Sequence, residues 1–450
     1  MPSAEILDIE PYRENGEVYL AIVFSNSQVK YVERKSLRKW KEQATEEKDI
    51  KFQTLLLNYE KNIFWETADT PLPSGVDEDI DLFMLQRDIQ RCMNDYIVLN
   101  DSRYYTLVAH FIMCTWVHEA FNHAPRLLIY APTRSGKTQL IRFLSAMCYR
   151  GHDYTNPSVA ALYRDIEEYH PTICIDSWQR INDERKKELE WIYEKGFTRG
   201  GSVARVNNDG GKVQRFRVFS FMAVATKDLN IPEDLQNRSI LIPMSEGKPE
   251  KKNFDLEEIS KIKSMLLGLR FAFLTGKTSV ESKEVNNTSL DPRSIDMAAT
   301  LLSLCTNEDN EEAILSLIEE AQEASKEALK ETTEADVFYA LCEVIKEKLL
   351  ASIDQKLDPS SITVSEVTEK VNEGREYHLT HKRVGQLLRT LGFELRKGSR
   401  NRTYFTRKHF HSVFKNNCSK FGVTIDVTFD EGNTKVTPDP DVKSVTLLPL

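Results

Sequence analysis

The sequence predicts an α/β fold: a core built round a phosphate-binding loop, with a small strand-rich module before it and a basic helix–helix–wing module after it. Three observations predict this. The apolar run Leu127-Leu128-Ile129-Tyr130 feeds directly into Ala131-Pro132-Thr133-Arg134-Ser135-Gly136-Lys137-Thr138, and an amphipathic segment, Gln139–Met147, follows. A second β-branched run, Thr172-Ile173-Cys174-Ile175, ends on Asp176, 39 residues after Lys137. Finally, Arg375–Lys420 holds twelve Lys/Arg against Glu376 and Glu394, about +10, in a chain whose net charge is −9. The remainder is therefore about −19, and a basic block on an acidic chain suits a polyanion partner for that block alone.

At 450 residues the chain has room for two to four domains, one with a sizeable core. The N-terminus shows no secretory pattern, and the apolar helix expected round Tyr105–Phe121 carries His110, His118 and Glu119, which excludes a membrane span. Seven cysteines are scattered without a C-x-x-C pair, as in a reduced intracellular protein. A cytoplasmic location, in a prokaryotic or viral setting, is expected.

Residues 1–66 form the first module. Glu5–Ile9, Glu17–Phe24 and Gln28–Val32 alternate as a three-stranded meander with turns at Asn15-Gly16 and Asn26-Ser27, and a helix follows over Phe52–Tyr59. Residues 67–90 are assigned to a linker, acidic and proline-bearing over Ala68–Asp81, within which a helical pattern resumes at Leu82. The core is assigned to residues 91–250, opening on the strongly apolar helix Tyr104–Phe121, and a helical lid or bundle to 251–355. The basic module spans 360–422 and a polar tail 423–450. No internal repeat is present.

The loop matches G-x-x-x-x-G-K-[ST] except at its first letter, where Ala131 replaces Gly and fits only if its φ stays negative. Backbone N–H groups from Ala131 to Thr138 and the dipole of the following helix make a cradle for phosphate. Lys137 reaches the β/γ-phosphates and the Thr138 hydroxyl takes a position on Mg²⁺, so the expected cofactors are ATP and Mg²⁺. Asp176 is placed to share that metal site. The next position, where a carboxylate that polarises the attacking water is common, is Ser177, and a serine is no general base unaided. Glu184, Glu188, Glu190 and Glu194 have the spacing of a solvated helix face. Ser202–Val206 and Lys212–Phe219 flank Asn207–Gly211 as a hairpin decorated by Arg199, Arg205, Lys212, Arg215 and Arg217. It is either an ordinary surface hairpin or a phosphate-tracking one. The strand Phe221–Ala225 ends at Thr226-Lys227, where Thr226 would orient the attacking water between the loop strand and the Asp176 strand. A short helix from Ile231 then leads to Arg238, which either serves a neighbouring subunit's γ-phosphate or pairs with Glu233 or Asp234.

The order of these motifs resembles the helicase-like P-loop ATPases attached to primases in phages, plasmids and other mobile elements. The resemblance covers roughly residues 90–420 and includes Ala160-Ala161-Leu162-Tyr163-Arg164, Phe197–Arg205, Leu235–Ile240 and Asp291–Asp296. It implies an ASCE/AAA+-like, superfamily-three-helicase-like core and an ATP-driven DNA translocase or helicase in mobile-element replication. It also implies a homo-oligomeric ring, for which a hexamer is one size, and a basic hairpin that projects into the ring's channel. Catalytic roles fall on Lys137, Asp176, Thr226 and Arg238, metal binding on Thr138 and Asp176, and nucleotide sensing on Arg164 and Arg293. Two letters depart from the family, Ser177 for its usual Glu and Ala131 in the loop. The first puts turnover in doubt and sustains an alternative: a nucleotide-binding, DNA-bound switch or scaffold that hydrolyses little.

In the basic module, Thr363–Asn372 and Thr380–Leu391 read as helices, the second with Leu387, Leu388 and Leu391 on its apolar face. Phe393–Arg396 and Thr403–Thr406 form a hairpin round Gly398–Asn401. Two helices and a wing make a winged helix-turn-helix, whose second helix would present Lys382, Arg383, Gln386 and Arg389 to DNA while Arg400 and Arg402 touch phosphates from the wing. Such a module can also dock protein. The N-terminal module is similar either to the small strand-rich modules of mobile-element helicases or to a chromo shadow domain. The second likeness would imply a nucleus, a terminal helix that pairs two copies and helps bind a peptide, and Tyr59 and Trp65 near the dimer groove; otherwise both residues are core packing.

Overall fold

The computed structural model describes residues 6–14, 17–24, 29–33, 80–131, 135–206, 213–227, 233–330, 332–350, 356–375, 377–398, 403–425 and 427–429. The chain divides into two compact units, Met1–Gln322 and Glu323–Leu450.

In the first unit, β1 (Ile6–Glu14), β2 (Glu17–Phe24) and β3 (Val29–Glu33) form the expected antiparallel meander in the order β1-β2-β3. β1 runs five residues beyond Ile9, through Pro11. As an outer strand of that sheet it can carry a residue with no N–H to donate. The expected helix at Phe52–Tyr59, the turn residues, Tyr59 and Trp65 lie outside the described residues. The helical pattern expected from Leu82 is α1 (Leu82–Tyr96), which starts where Asp81 caps it, its carboxylate accepting from the Phe83 and Met84 N–H groups. Leu85, Ile89 and Cys92 then bury the inner face of α1.

The core of this unit is a five-stranded parallel sheet in the order β10-β4-β9-β6-β5, made of β4 (Arg126–Tyr130), β5 (His152–Asp153), β6 (Ile173–Ile175), β9 (Met222–Thr226) and β10 (Ser239–Pro243). Side-chain alternation builds two hydrophobic layers on it. Leu127, Ile129, Cys174, Ala223, Ala225, Ile240 and Ile242 face one cluster, with α2 (Arg103–Trp116) and α3 (Lys137–Met147). Leu128, Ile173, Ile175, Met222 and Val224 face the other, with α4 (Val159–Tyr169) and α5 (Asp183–Lys195). The hairpin forms as expected from β7 (Ser202–Val206) and β8 (Val213–Arg217), with Val203 opposite Phe216.

The bundle expected over 251–355 is divided between the two units. After the short helix α6 (Glu233–Gln236), α7 (Leu256–Leu274) and α8 (Pro292–Leu301) bury Ile259, Leu266, Met297 and Leu301 in the same cluster as α1, α2 and α3, so they extend the sheet-bearing core. α9 (Glu308–Lys330) adds Ile314 and Leu317 to that cluster. α10 (Thr333–Leu350) instead packs Phe338, Leu341 and Ile345 with the C-terminal elements, because its apolar face matches theirs.

The second unit continues with α11 (Val364–Asn372), α12 (His381–Thr390), the antiparallel pair β12 (Leu395–Lys397) and β13 (Thr403–Phe405), and α13 (Phe410–Phe421). Phe338, Phe393, Phe405, Phe410, Phe414 and Phe421 form its interior. The tail is packed as far as Phe429: β14 (Thr428–Phe429) pairs in parallel with β11 (Lys356–Leu357). Among the described residues no helix is long and apolar enough to cross a membrane, and the seven cysteines are all free.

Candidate phosphate site and polyanion surfaces

The sheet brings the motif residues together at the C-terminal ends of its strands. β4 delivers Ala131, β9 delivers Thr226 beside it, and β6 delivers Asp176 on the far side of β9. The strand carrying Thr226 thus lies between the loop strand and the acidic strand, as its sequence position implies. Ala131 is buried, stays outside the left-handed region, and donates its N–H to the Thr226 carbonyl at 3.3 Å. That conformation is why alanine is accepted at the loop's first position. Gly136 does need its freedom, with φ +86° at the N-cap of α3. Pro132, Thr133 and Arg134 lie outside the described residues.

The Thr138 Oγ1 donates to Asp176 Oδ2 at 2.8 Å. Lys137 Nζ donates to the Ala131 carbonyl at 2.5 Å and to Ser135 Oγ at 3.4 Å. Burial lowers the Lys137 pKa; the Asp176 charge works against that shift and Lys227 adds to it. The three charged groups therefore act on one another at the mouth of the loop. A hydroxyl and a carboxylate in contact, beside an ammonium, are a donor set that suits a hard cation sharing its shell with phosphate and water. Among the described residues no group of three His, Cys, Asp or Glu is placed to hold a metal by itself.

Ser177 adopts φ 65°, ψ 54°, a left-handed backbone uncommon for serine, and donates to Asp176 Oδ1 at 3.3 Å. Asp153, at the end of the neighbouring strand, has an Oδ1 that is buried without a hydrogen-bond partner. Burial, then the nearby Asp176 charge, raises its pKa. The motif search missed Asp153, whose strand is only two residues long. Also unforeseen is a cavity of about 230 Å³ beside Ser135, Gly136 and Gln139, walled by Val98, Gly247 and Pro249. Gln139 Nε2 reaches the Lys252 carbonyl at 3.1 Å and ties α3 to that wall. Three separate segments build it, so no local pattern announces it.

Arg238 does not join this group. It precedes β10, whose first residue, Ser239, lies opposite Arg126 at the other end of β4. It is 9% exposed and lies 3.7 Å from Glu194 Oε1. The expected partners Glu233 and Asp234 have side chains outside the described residues; the pair with Glu194 removes that half-buried carboxylate from the solvated face assigned to it. Glu184 and Glu188 are exposed, as that face requires. Arg126, which no motif singled out, is fully buried nearby: it donates to the Ser220 carbonyl, donates to the Tyr193 carbonyl at 3.2 Å, and burial lowers its pKa to about 10.

The hairpin arginines separate by face. Strand alternation puts Arg205 on the side of Val203 and Phe216, against α4, and Arg215 and Arg217 on the other. Arg215 is exposed, whereas Arg217 is bound to Glu167 at 2.9 Å. Arg199 is exposed but its guanidinium is tied down: it donates to the Phe121 and His118 carbonyls, both at 2.7 Å, and lies over Phe219. Arg164 is exposed on α4 next to the hairpin, and Arg293 is half-buried at the start of α8. On α12, Lys382, Arg383, Gln386 and Arg389 are exposed while Val384, Leu387 and Leu388 are buried, the amphipathic division read from the sequence. Lys212, Arg400 and Arg402 lie outside the described residues.

No family model matches the chain, and no curated protein matches it. Among solved structures it is similar to "The A form apo structure of NrS-1 C terminal region-CTR", at 14% identity over 88% of this chain and 95% of that one, with a TM-score of 0.35. It is also similar to "The apo structure of NrS-1 C terminal region (305-718)", at 12% identity over the same shares and a TM-score of 0.36. A likeness of that strength says nothing about chemistry.

Proposed function

We propose that the chain is an ATP-dependent DNA translocase or helicase-like ATPase of the ASCE/AAA+ kind, acting in replication of a mobile element. The observation that carries the reading is the 2.8 Å contact between Thr138 and Asp176, with Lys137 beside them at the end of a parallel sheet. In this reading the loop amides and Lys137 hold the β- and γ-phosphates, and the base occupies the cavity against Val98 and Pro249. Thr138 and Asp176 would hold Mg²⁺, which when bound neutralises phosphate charge. Thr226, at the end of the intervening strand, positions the water. The hairpin and the exposed basic face of α12, read as the second helix of a winged helix-turn-helix, contact DNA. The resemblance in motif order supports the mobile-element setting and a cytoplasmic location. It also supports assembly into a homo-oligomeric ring, in which Arg238 would have to leave Glu194 to reach a neighbouring phosphate.

A second reading, a DNA-bound nucleotide switch with little turnover, is favoured by Ser177, which puts a strained hydroxyl where the family has a carboxylate. Binding is common to both. A fluorescent ATP analogue with Mg²⁺ should bind the intact chain and bind Lys137→Ala at least tenfold more weakly. Equal binding by the two proteins overturns both readings.

A further inference from the structure

We infer that Arg164 on α4 and Arg205 on β7 together form a binding site for one backbone phosphate of single-stranded nucleic acid, built on the Tyr163 ring. The site extends the hairpin's proposed DNA contact, and so rests on the DNA-binding part of the reading above. It gives Arg164 a role other than nucleotide sensing.

The sequence places Tyr163 and Arg164 side by side on a helix that packs against the hairpin. Tyr163, 4% exposed, meets Phe216 with ring centroids 4.5 Å apart, so hairpin and helix share an aromatic platform. The Arg164 guanidinium lies 5.2 Å from the Tyr163 centroid and 5.7 Å from that of Phe216. The Arg205 guanidinium lies 5.6 Å from the same Tyr163 ring. Two cations on one ring are at most about 11 Å apart.

Among the described residues neither arginine pairs with a carboxylate. On α4, Glu167 is taken by Arg217 and Asp165 accepts from the Tyr154 hydroxyl. Arg164 Nη1 donates to the Ala160 carbonyl of its own helix, at 2.9 Å. Two planar forks lying over one ring, with donors to spare and no ion pair among the described residues, suit an anion that accepts from both. A phosphodiester does so, and a strand passing along the α4 side of the hairpin presents one every nucleotide. Adenosine triphosphate bound at the loop is not the partner, because Arg164 belongs to the hairpin's platform and not to the Lys137–Asp176 group.

The test uses the full chain carrying Lys382→Gln, Arg383→Gln and Arg389→Gln, so that the C-terminal module contributes little to DNA affinity. Binding of a labelled oligo-thymidine is measured by anisotropy over a salt series, with Arg164→Gln and Arg205→Gln added together. The expected result is about a tenfold loss of affinity and a salt slope flatter by roughly 0.7 to 1.4. Affinity for the ATP analogue and the melting temperature should not change, and Arg164→Lys with Arg205→Lys should retain most of the slope. Unchanged oligonucleotide affinity, no binding in the background protein, a loss confined to duplex DNA, or weakened ATP binding each overturns the inference. Failure of the unaltered chain to bind ATP is a different result, and overturns the ATPase reading alone.

Discussion

At Ser177 the chain holds a left-handed backbone on a residue with a Cβ, directly after the proposed metal ligand. Such a conformation costs on the order of 1–2 kcal/mol. Ser177→Gly should therefore raise thermal stability by about 1 kcal/mol, read from a denaturation curve, unless the hydroxyl's bond to Asp176 outweighs the strain. Arg238 poses the matching question at the other end of the sheet. Its ion pair with Glu194 is partly buried, so Arg238→Ala and Glu194→Gln should each lower stability by about 1–3 kcal/mol. If Arg238 also serves a neighbouring subunit, only Arg238→Ala lowers phosphate release at saturating ATP. Equal effects of the two substitutions on release leave it a structural residue.

Among the elements, α11 shows how local chemistry fixes a boundary. Thr363 Oγ1 accepts from the Glu366 N–H at 3.2 Å while the Glu366 carboxylate accepts from the Thr363 N–H at 2.7 Å, a capping box at the start of the first helix of the basic module. Thr363→Ala should cost about 1 kcal/mol in chemical denaturation; no change would mean that tertiary packing alone sets this end. Legibility in the sequence follows the same logic. Elements whose signal is local were readable: the loop strand, the hairpin about its Asn/Gly turn, and the amphipathic α12 with Leu387 and Leu388 inside. Whatever depends on which apolar face meets which was not. The helices from 256 to 350 look alike as sequence, yet Ile259 and Met297 join the sheet-bearing core while Phe338 joins the C-terminal one. The proposed phosphate site was legible for Lys137 and Thr138, which open the helix after the loop, and for Asp176 and Thr226, which sit at strand ends. The cavity wall at Val98 and Gly247 and the lone Asp153 were not, because neither carries a motif.

For the whole molecule, the two units should respond differently to acid. Burial lowers the pKa of both His110 and His118 to about 4, and both lie in the first unit. A histidine whose folded pKa lies below its unfolded value of about 6.5 lends stability above 6.5 that is lost as pH falls towards 4. In the second unit the Arg407 guanidinium holds Asp358 at about 2, so that contribution is present above about 4 and is lost between about 4 and 2. Acid unfolding followed by tryptophan fluorescence, whose described emitters Trp116, Trp178 and Trp191 belong to the first unit, should therefore begin near pH 6. His110→Gln should shift that onset lower. A first unit that is indifferent to pH between 6.5 and 4 would contradict this.

Lys137, Thr138, Asp176 and Thr226 are the proposed site of a DNA-coupled ATPase. Steady-state phosphate release with Mg²⁺, with and without single-stranded DNA, tests it most directly. Release by the intact chain should rise several-fold with DNA and fall at least a hundredfold in Lys137→Ala, roughly 3 kcal/mol of lost transition-state stabilisation. Release no higher than that of Lys137→Ala, whether or not DNA is present, would contradict it.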